Sequence, residues 1–350
     1  MNIKSLLLGS AAALAVVSGA QAADAIVAAE PEAVEYVRVC DAYGTGYFYI
    51  PGTETCLKIE GYIRFQVNGG DSLVGSSDWN SFTRGNVQFT AKSDTEYGPL
   101  TGVIVLQTDA NNASDQNSYL DSAYIDIAGF RAGLFYSWWD DGLSGETDSL
   151  ASNATLHNSI RYQYESGDFY AGISVDELED SVSFGESGND VGIAAGIGGK
   201  AGAFSYQVIG GYDTDTSEGA VRGMATVAIG PGTLGLAAAW ASGANAYYEE
   251  SEWTVAAEYA IQATDKLKIT PGVQYFANIN PVTGIPGVGK NAMGTNADWA
   301  DADLWKAGVT LDYQIVENFY AKASVQWQDR TSVADSDDTV SGYFRLQRAF

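Results

Sequence analysis

Positive charge is scarce in this chain: 18 Lys and Arg stand against 44 Asp and Glu, a net charge of −26 at neutral pH. That balance argues against a nucleic-acid partner, whose phosphates are held by Lys and Arg. Histidine occurs once, as His157. A catalytic base there would need a nucleophile and an orienting acid beside it. Ser159 and Asp148 are near in sequence, but any polar loop offers as much, and His157 reads as a bystander. No catalytic set, cofactor or metal is expected. Beyond the N-terminus, no apolar run approaches the ~20 residues that a spanning helix needs. Spanning strands are not thereby excluded, because each gives a far weaker hydropathy signal than a helix.

Two motif fragments fall short of a site. Gly284-Ile-Pro-Gly-Val-Gly289-Lys290 approaches a phosphate-binding loop, but Asn291 stands where Ser or Thr should bind Mg²⁺. Asp213-Thr-Asp215-Thr-Ser217 hints at calcium, but Glu218 replaces the glycine that an EF-hand loop requires.

What the chain has in quantity is glycine (40) and tyrosine (21), which in short alternating runs suit an all-β architecture. Its start is a targeting segment: Lys4, an apolar run from Leu6 to Val17, then Ala20-Gln21-Ala22 as a small-x-small cleavage site. Residues 1–22 are read as a signal peptide, 23–55 as a periplasmic lead-in with a small hairpin, and 56–350 as the main domain. In an exported chain, Cys40 and Cys56 favour a disulfide over a metal or redox site.

The last stretch, Thr339 to Phe350, alternates at period two. Val340, Gly342, Phe344, Leu346, Arg348 and Phe350 make one face, and Ser341, Tyr343, Arg345, Gln347 and Ala349 the other. Leu57–Val67 repeats the pattern, and the end of the chain is expected to close on this beginning, because a terminal strand otherwise leaves unpaired backbone groups. Sixteen such segments can be read, among them Arg84–Lys92, Leu100–Gln107, Leu267–Phe276 and Phe319–Gln328. Leu100–Gln107 is nearly apolar on both faces, so its register is open, and Pro271 strains its ladder, tolerable at a bulge.

Connections alternate between short (Ala128-Gly129, Gly230-Pro231-Gly232) and long (Asn68–Asn80, Thr108–Asn117, Trp139–Asn158, Ser242–Ser251). An even count of strands with short turns at one rim and long loops at the other marks an outer-membrane barrel. Almost every segment has one face of Arg, Lys, Glu, Gln or Asn, more than a core could bury unpaired. The apolar face must therefore meet lipid and the polar face line water. Aromatic residues at strand ends, such as Trp240, Trp253, Trp305 and Trp327, suit the two lipid–water interfaces. A sheet in hydrocarbon must close, and at sixteen strands it leaves an aqueous channel.

The run from Val39 through Cys40 and Cys56 to Arg64 closely resembles the mature start of the general porins of alphaproteobacteria, as do Ala123–Gly133 and the terminal Phe350. The resemblance covers essentially the whole mature chain. It implies a trimeric sixteen-stranded porin of the Gram-negative outer membrane that passes small hydrophilic solutes. It also implies a third long loop folded into the lumen and a terminal strand, ending in Phe350, that the barrel-assembly machinery reads. Outer-membrane lipid and lipopolysaccharide would surround it, with a divalent cation as a bridge to the acidic loops.

The constriction is expected between that third loop, carrying Asp140, Asp141, Glu146 and Asp148 with Gly142 and Gly145, and an opposite wall of arginines. Arg64, Arg84 and Arg345 fall near mid-height on adjacent segments, and Arg161 follows the loop; all four point inward by parity. Acids facing arginines set a field across the narrowest point, as charged linings do for selectivity. Inward Lys58, Lys92, Arg222, Lys268, Lys306 and Lys322 should tune it more weakly. Passive diffusion, with a mild preference for cations from the acidic mouth, is favoured over two rivals. A substrate-specific channel needs an aromatic slide, and a lipase-type enzyme needs a Ser/His/acid set on the rim.

Overall fold

The hydrogen-bonding order of the strands is a ring. The computed structural model describes residues 37–74, 77–152, 154–178, 190–279, 299, 302–331 and 338–350. Residues 1–22, expected to be a signal peptide, residues 23–36 and the Gly284–Lys290 run lie outside the described residues. Met1–Arg38 and Val39–Phe350 are separate units, and every described strand belongs to the second.

The strands are β1 (Phe48–Tyr49), β2 (Cys56–Val74), β3 (Ser77–Thr95), β4 (Gly98–Asn112), β5 (Asp115–Ile127), β6 (Phe130–Tyr136), β7 (Leu156–Ser166), β8 (Phe169–Glu177) and β9 (Val191–Ala201). They continue with β10 (Phe204–Asp213), β11 (Glu218–Ile229), β12 (Gly232–Ala241), β13 (Ser251–Gln262), β14 (Leu267–Ile279), β15 (Asp303–Val316), β16 (Phe319–Thr331) and β17 (Thr339–Ala349). Each of β2 to β17 pairs antiparallel with its chain neighbours, and β17 pairs with β2. The sixteen strands β2–β17 therefore close, as the accounting of backbone donors and acceptors requires in lipid.

Closure ends on the last residue. Phe350 and Gly61 exchange both backbone hydrogen bonds, at 3.0 and 3.1 Å. Below that point β1 takes over the same edge of β2, with Tyr49 opposite Cys56 and Phe48 opposite Leu57. The Cys40–Cys56 disulfide fastens this hairpin to β2. A bridge between residues that far apart in sequence stabilises by about 3 kcal/mol through chain entropy. Lys92 lies over the rings of Tyr43 and Tyr47, and the Tyr43 hydroxyl donates to Asp94 at 2.6 Å.

The faces run opposite to those of a soluble protein. Ile63 is 57% and Ile160 64% exposed, whereas Gln274 is 1% and Thr310 0%. Alternation settles the doubtful segment too: Ile104 and Leu106 of β4 face out, while Val103 and Val105 are buried inside.

Three expectations are corrected. The connections read at Asn68–Asn80 and Thr108–Asn117 are mostly strand, since β2 runs to Val74, β3 starts at Ser77, and β4 and β5 are separated only by Ala113 and Ser114. Greasy alternation stops where lipid stops, but ladder pairing continues above it. Pro271 makes no bulge. Register with β13 is constant across it, and the ladder merely skips the pairings of Tyr259 and Ala260, where proline has no N–H to give. Third, the polar lining is incomplete: the buried inward positions of β9 and β12 are Gly and Ala, including Ala194, Ala237, Ala239 and Ala241.

Those small residues make room. Loops 137–155 and 242–250 fold inward against them, forming an apolar cluster of Trp138, Trp139, Tyr247, Tyr248, Leu178 and Ile209. A Cβ at Gly211 would collide with the Tyr247 ring, and one at Gly172 with Trp138. One side of the lumen is thus packed, and open space remains along β2–β6 and beside β16 and β17.

Candidate functional site

Loop 137–155 leaves β6 and enters β7 through a neck closed by Ser137 N–H donating to Thr155 O at 2.8 Å. Ser137 caps the turn Trp138–Asp140, its Oγ accepting from Trp139 N at 3.2 Å. From there the loop is tied to successive wall strands. Arg222 of β11, 1% exposed, donates to the carbonyls of Trp138 (2.7 Å), Trp139 (2.9 Å) and Leu150 (3.2 Å). Glu258 of β13 accepts from Ser144 N (2.8 Å), Ser144 Oγ (2.7 Å) and Gly145 N (2.7 Å). Gln274 of β14 brackets Ser149, accepting from its N at 2.7 Å and donating to its O at 2.9 Å. Lys306 reaches Ser149 Oγ, and Lys322 of β16 pairs with Glu146 at 2.7 Å. Any side chain at Gly145 would strike the Glu258 carboxylate.

The four loop acids have different fates. Asp140 accepts from Thr155 Oγ1 at 2.7 Å, and Asp141 from Gln207 Nε2 at 2.6 Å. Asp148 accepts from Leu143 N at 3.1 Å within the loop. Burial, with the Glu258 charge beside it, raises its pKa from the ordinary aspartate value. Glu146 alone pairs with a cation of the open wall. Burial opposes its ionisation, but the Lys322 ammonium and the Tyr343 hydroxyl outweigh it, and its pKa falls.

On the facing wall, Arg64 and Arg84 are register partners on β2 and β3, and Arg345 of β17 stands opposite Gln66. The structure thus brings these three together. Arg84 chelates Asp109 at 2.7 and 2.8 Å. Arg161 does not join them. It is buried at the root of the loop, stacked on Trp138 (4.0 Å) and Phe135 (4.8 Å), with Nη2 donating to Tyr136 O. Beside Arg64 and Arg345 the lumen holds an open space of about 420 Å³, which they line with Lys322, Lys268, Asp312 and Tyr320 and which extends toward the short turn at Gln262–Lys266.

Sequence reading did not single out Glu258 and Gln274 as anchors, and it placed Arg222 only among the lining charges. It also treated Ser242–Ser251 as one more outer loop. The available signal was Ala246-Tyr247-Tyr248, an apolar centre in a polar connection, together with the small inward residues of β9 and β12. The calcium hint at Asp213 has another explanation. Its Oδ1 accepts from the N–H groups of Asp215 and Thr216, and its Oδ2 from Ala246 N, so it caps a turn and holds loop 242–250. His157 is buried beside the Tyr247 ring.

Comparison with known proteins places this architecture. Residues 24–345 match the porin subfamily. Outer membrane protein IIIA of Rhizobium leguminosarum bv. viciae is 62% identical over 98% of this chain and 93% of its own. Porin Omp2a of Brucella suis biovar 1 is 36% identical over the full length of both. OmpT of Vibrio cholerae in its trimer form is only 13% identical, yet it superposes over 85% of this chain and 100% of its own with a TM-score of 0.60, a likeness of fold. On closed topology, inverted faces and full-length identity to named porins, the chain belongs to the porin subfamily.

Proposed function

We propose that the protein is an outer-membrane porin: a water-filled channel for passive diffusion of ions and small hydrophilic solutes, narrowest between loop 137–155 and the wall of Arg64, Arg84 and Arg345. The observation that carries this reading is the course of the loop. It is tied by Arg222, Glu258, Gln274 and Lys322 across one side of the lumen, and the guanidinium wall opposite is left facing water. Glu146 on the loop and the arginines across from it set a transverse field that orients dipolar solutes. The acid-rich chain concentrates cations at the mouth.

The same reading has the chain exported, cleaved after Ala22, delivered to the barrel-assembly machinery by the strand ending in Phe350, and assembled as a homotrimer among lipid and lipopolysaccharide, with divalent cations bridging the acidic loops. A substrate-specific slide is disfavoured. Phe135 and Phe276 are buried, and Tyr62 and Tyr343 are engaged beneath arginines. A lipase-type site is disfavoured because His157 is buried inside the barrel wall rather than set on the lipid-facing rim. Liposomes carrying the purified protein should swell in isotonic solutions of small sugars and not in those of large oligosaccharides. Swelling no faster than empty liposomes would reject the reading.

A further inference from the structure

The two strands that close the barrel carry the same five-residue pattern. Tyr62-Ile-Arg64-Phe-Gln66 on β2 is matched by Tyr343-Phe-Arg345-Leu-Gln347 on β17. Antiparallel register sets Arg64 opposite Gln347 and Arg345 opposite Gln66. The contacts are reciprocal: Arg64 Nε donates to Gln347 Oε1 at 2.9 Å, and Arg345 Nε to Gln66 Oε1 at 2.6 Å. Each guanidinium also lies over the tyrosine two residues before it, 4.8 Å from the Tyr62 ring and 4.6 Å from the Tyr343 ring. Gln66 is itself buried and fixed by donating to Asn68. Both arginines are therefore held in place, about a local two-fold axis, by contacts that occupy only the Nε–H and one ring face.

What they lack is a carboxylate at ion-pair distance; Glu146, whose ionisation the Arg345 charge favours, is held by Lys322. Among the described residues, Arg84 has Asp109, Arg131 has Asp126, Lys58 has Glu60, Lys268 has Asp312, and Lys322 has Glu146 and Asp312. No described carboxylate pairs with Arg64 or Arg345. Arg161 and Arg222 also lack one, but they are buried and directed at carbonyl oxygens. Like charges on adjacent strands repel, and a chain with 44 acids against 18 bases does not lack residues to neutralise them. An arginine has five N–H donors, so with Nε engaged each of these keeps four more at the edge of the open space that it lines.

We propose that Arg64 and Arg345 form a preorganised oxyanion subsite, a paired fork that takes the carboxylate, phosphate or sulfate group of a solute in transit. This rests on the channel reading and deepens it. The acidic mouth draws cations, and the narrow wall holds anions. Guanidinium forks match such groups two oxygens at a time.

The test is ion current through the mature protein in a planar bilayer in KCl, titrated in one arm with inorganic phosphate and in the other with acetate. The wild type should show saturable reduction of current. The ratio of the two half-blocking concentrations tells tetrahedral from planar preference. In the Arg64→Gln, Arg345→Gln double variant, that concentration should rise about tenfold or more, the loss of at least one charge-assisted contact. Arg131→Gln, whose partner is Asp126, should leave it unchanged. The Arg64→Lys, Arg345→Lys variant keeps charge but loses the fork, and should recover little of the block. Full recovery with lysine, or block unaltered by the glutamine pair, would overturn the subsite. Steady KCl current with no block by either anion would overturn the subsite and leave the channel reading standing. Absence of any current would strike the channel reading itself.

Discussion

Arg222 shows what a single buried charge can organise. Its guanidinium is sealed from water and ends on three carbonyls of loop 137–155 as well as Gln207. Methionine at this position fills similar volume but leaves those carbonyls without donors. Arg222→Met should cost ~3 kcal/mol, read as a lower urea midpoint in detergent micelles, and should make the open-channel current noisier. A variant with unchanged midpoint and noise would mean that the loop is held by other contacts. Parity along a strand is a local property, so the inward placement of Arg64, Arg84 and Arg345 could be read from residues alone. The partner of an inward charge is not local. Arg161 was legible as inward, but its stacking on Trp138 depends on where the loop turns. Glu258 was one inward acid among many until the course of the loop gave it three donors.

At the scale of elements, loop 242–250 carries a titration into the packed side of the lumen. Glu250 is buried. That burial, followed by the neighbouring Glu249, pushes its pKa up to about 8, against a smaller opposing pull from Lys306. The folded state thus holds this proton more tightly than the unfolded chain. The contribution to stability is fully present below the ordinary carboxylate pKa and is lost as pH rises toward about 8. Amide hydrogen exchange in 242–250, corrected for intrinsic rates, should therefore speed up between pH 5 and 8, and Glu250→Gln should flatten that dependence. A wild-type loop whose protection does not vary with pH would contradict the packing described. The existence of the strands was legible because each carries a greasy and a wet face. Their lengths were not, since β2 and β3 continue pairing through Gly69 and Asn80, where no lipid demands alternation. The infolding of 242–250 was hidden because its complement, the Gly and Ala positions of β9 and β12, is spread over strands distant in sequence.

At the scale of the molecule, closure follows from the chemistry of the backbone. In hydrocarbon every N–H and C=O must be paired, and sixteen alternating strands with an apolar exterior have no other solution. That made the barrel legible from the chain. How the interior is divided between packed loops and water was not, because it depends on contacts between residues far apart in sequence, such as Ser152 with Ala246 and Tyr247. Everything the proposed channel does depends on the molecule being a lined hole. Its most direct measurement is the current that the purified mature protein carries across a planar lipid bilayer. Stepwise, ohmic increments on each insertion are the predicted result. Correctly folded barrels that enter the bilayer and pass no current would contradict it.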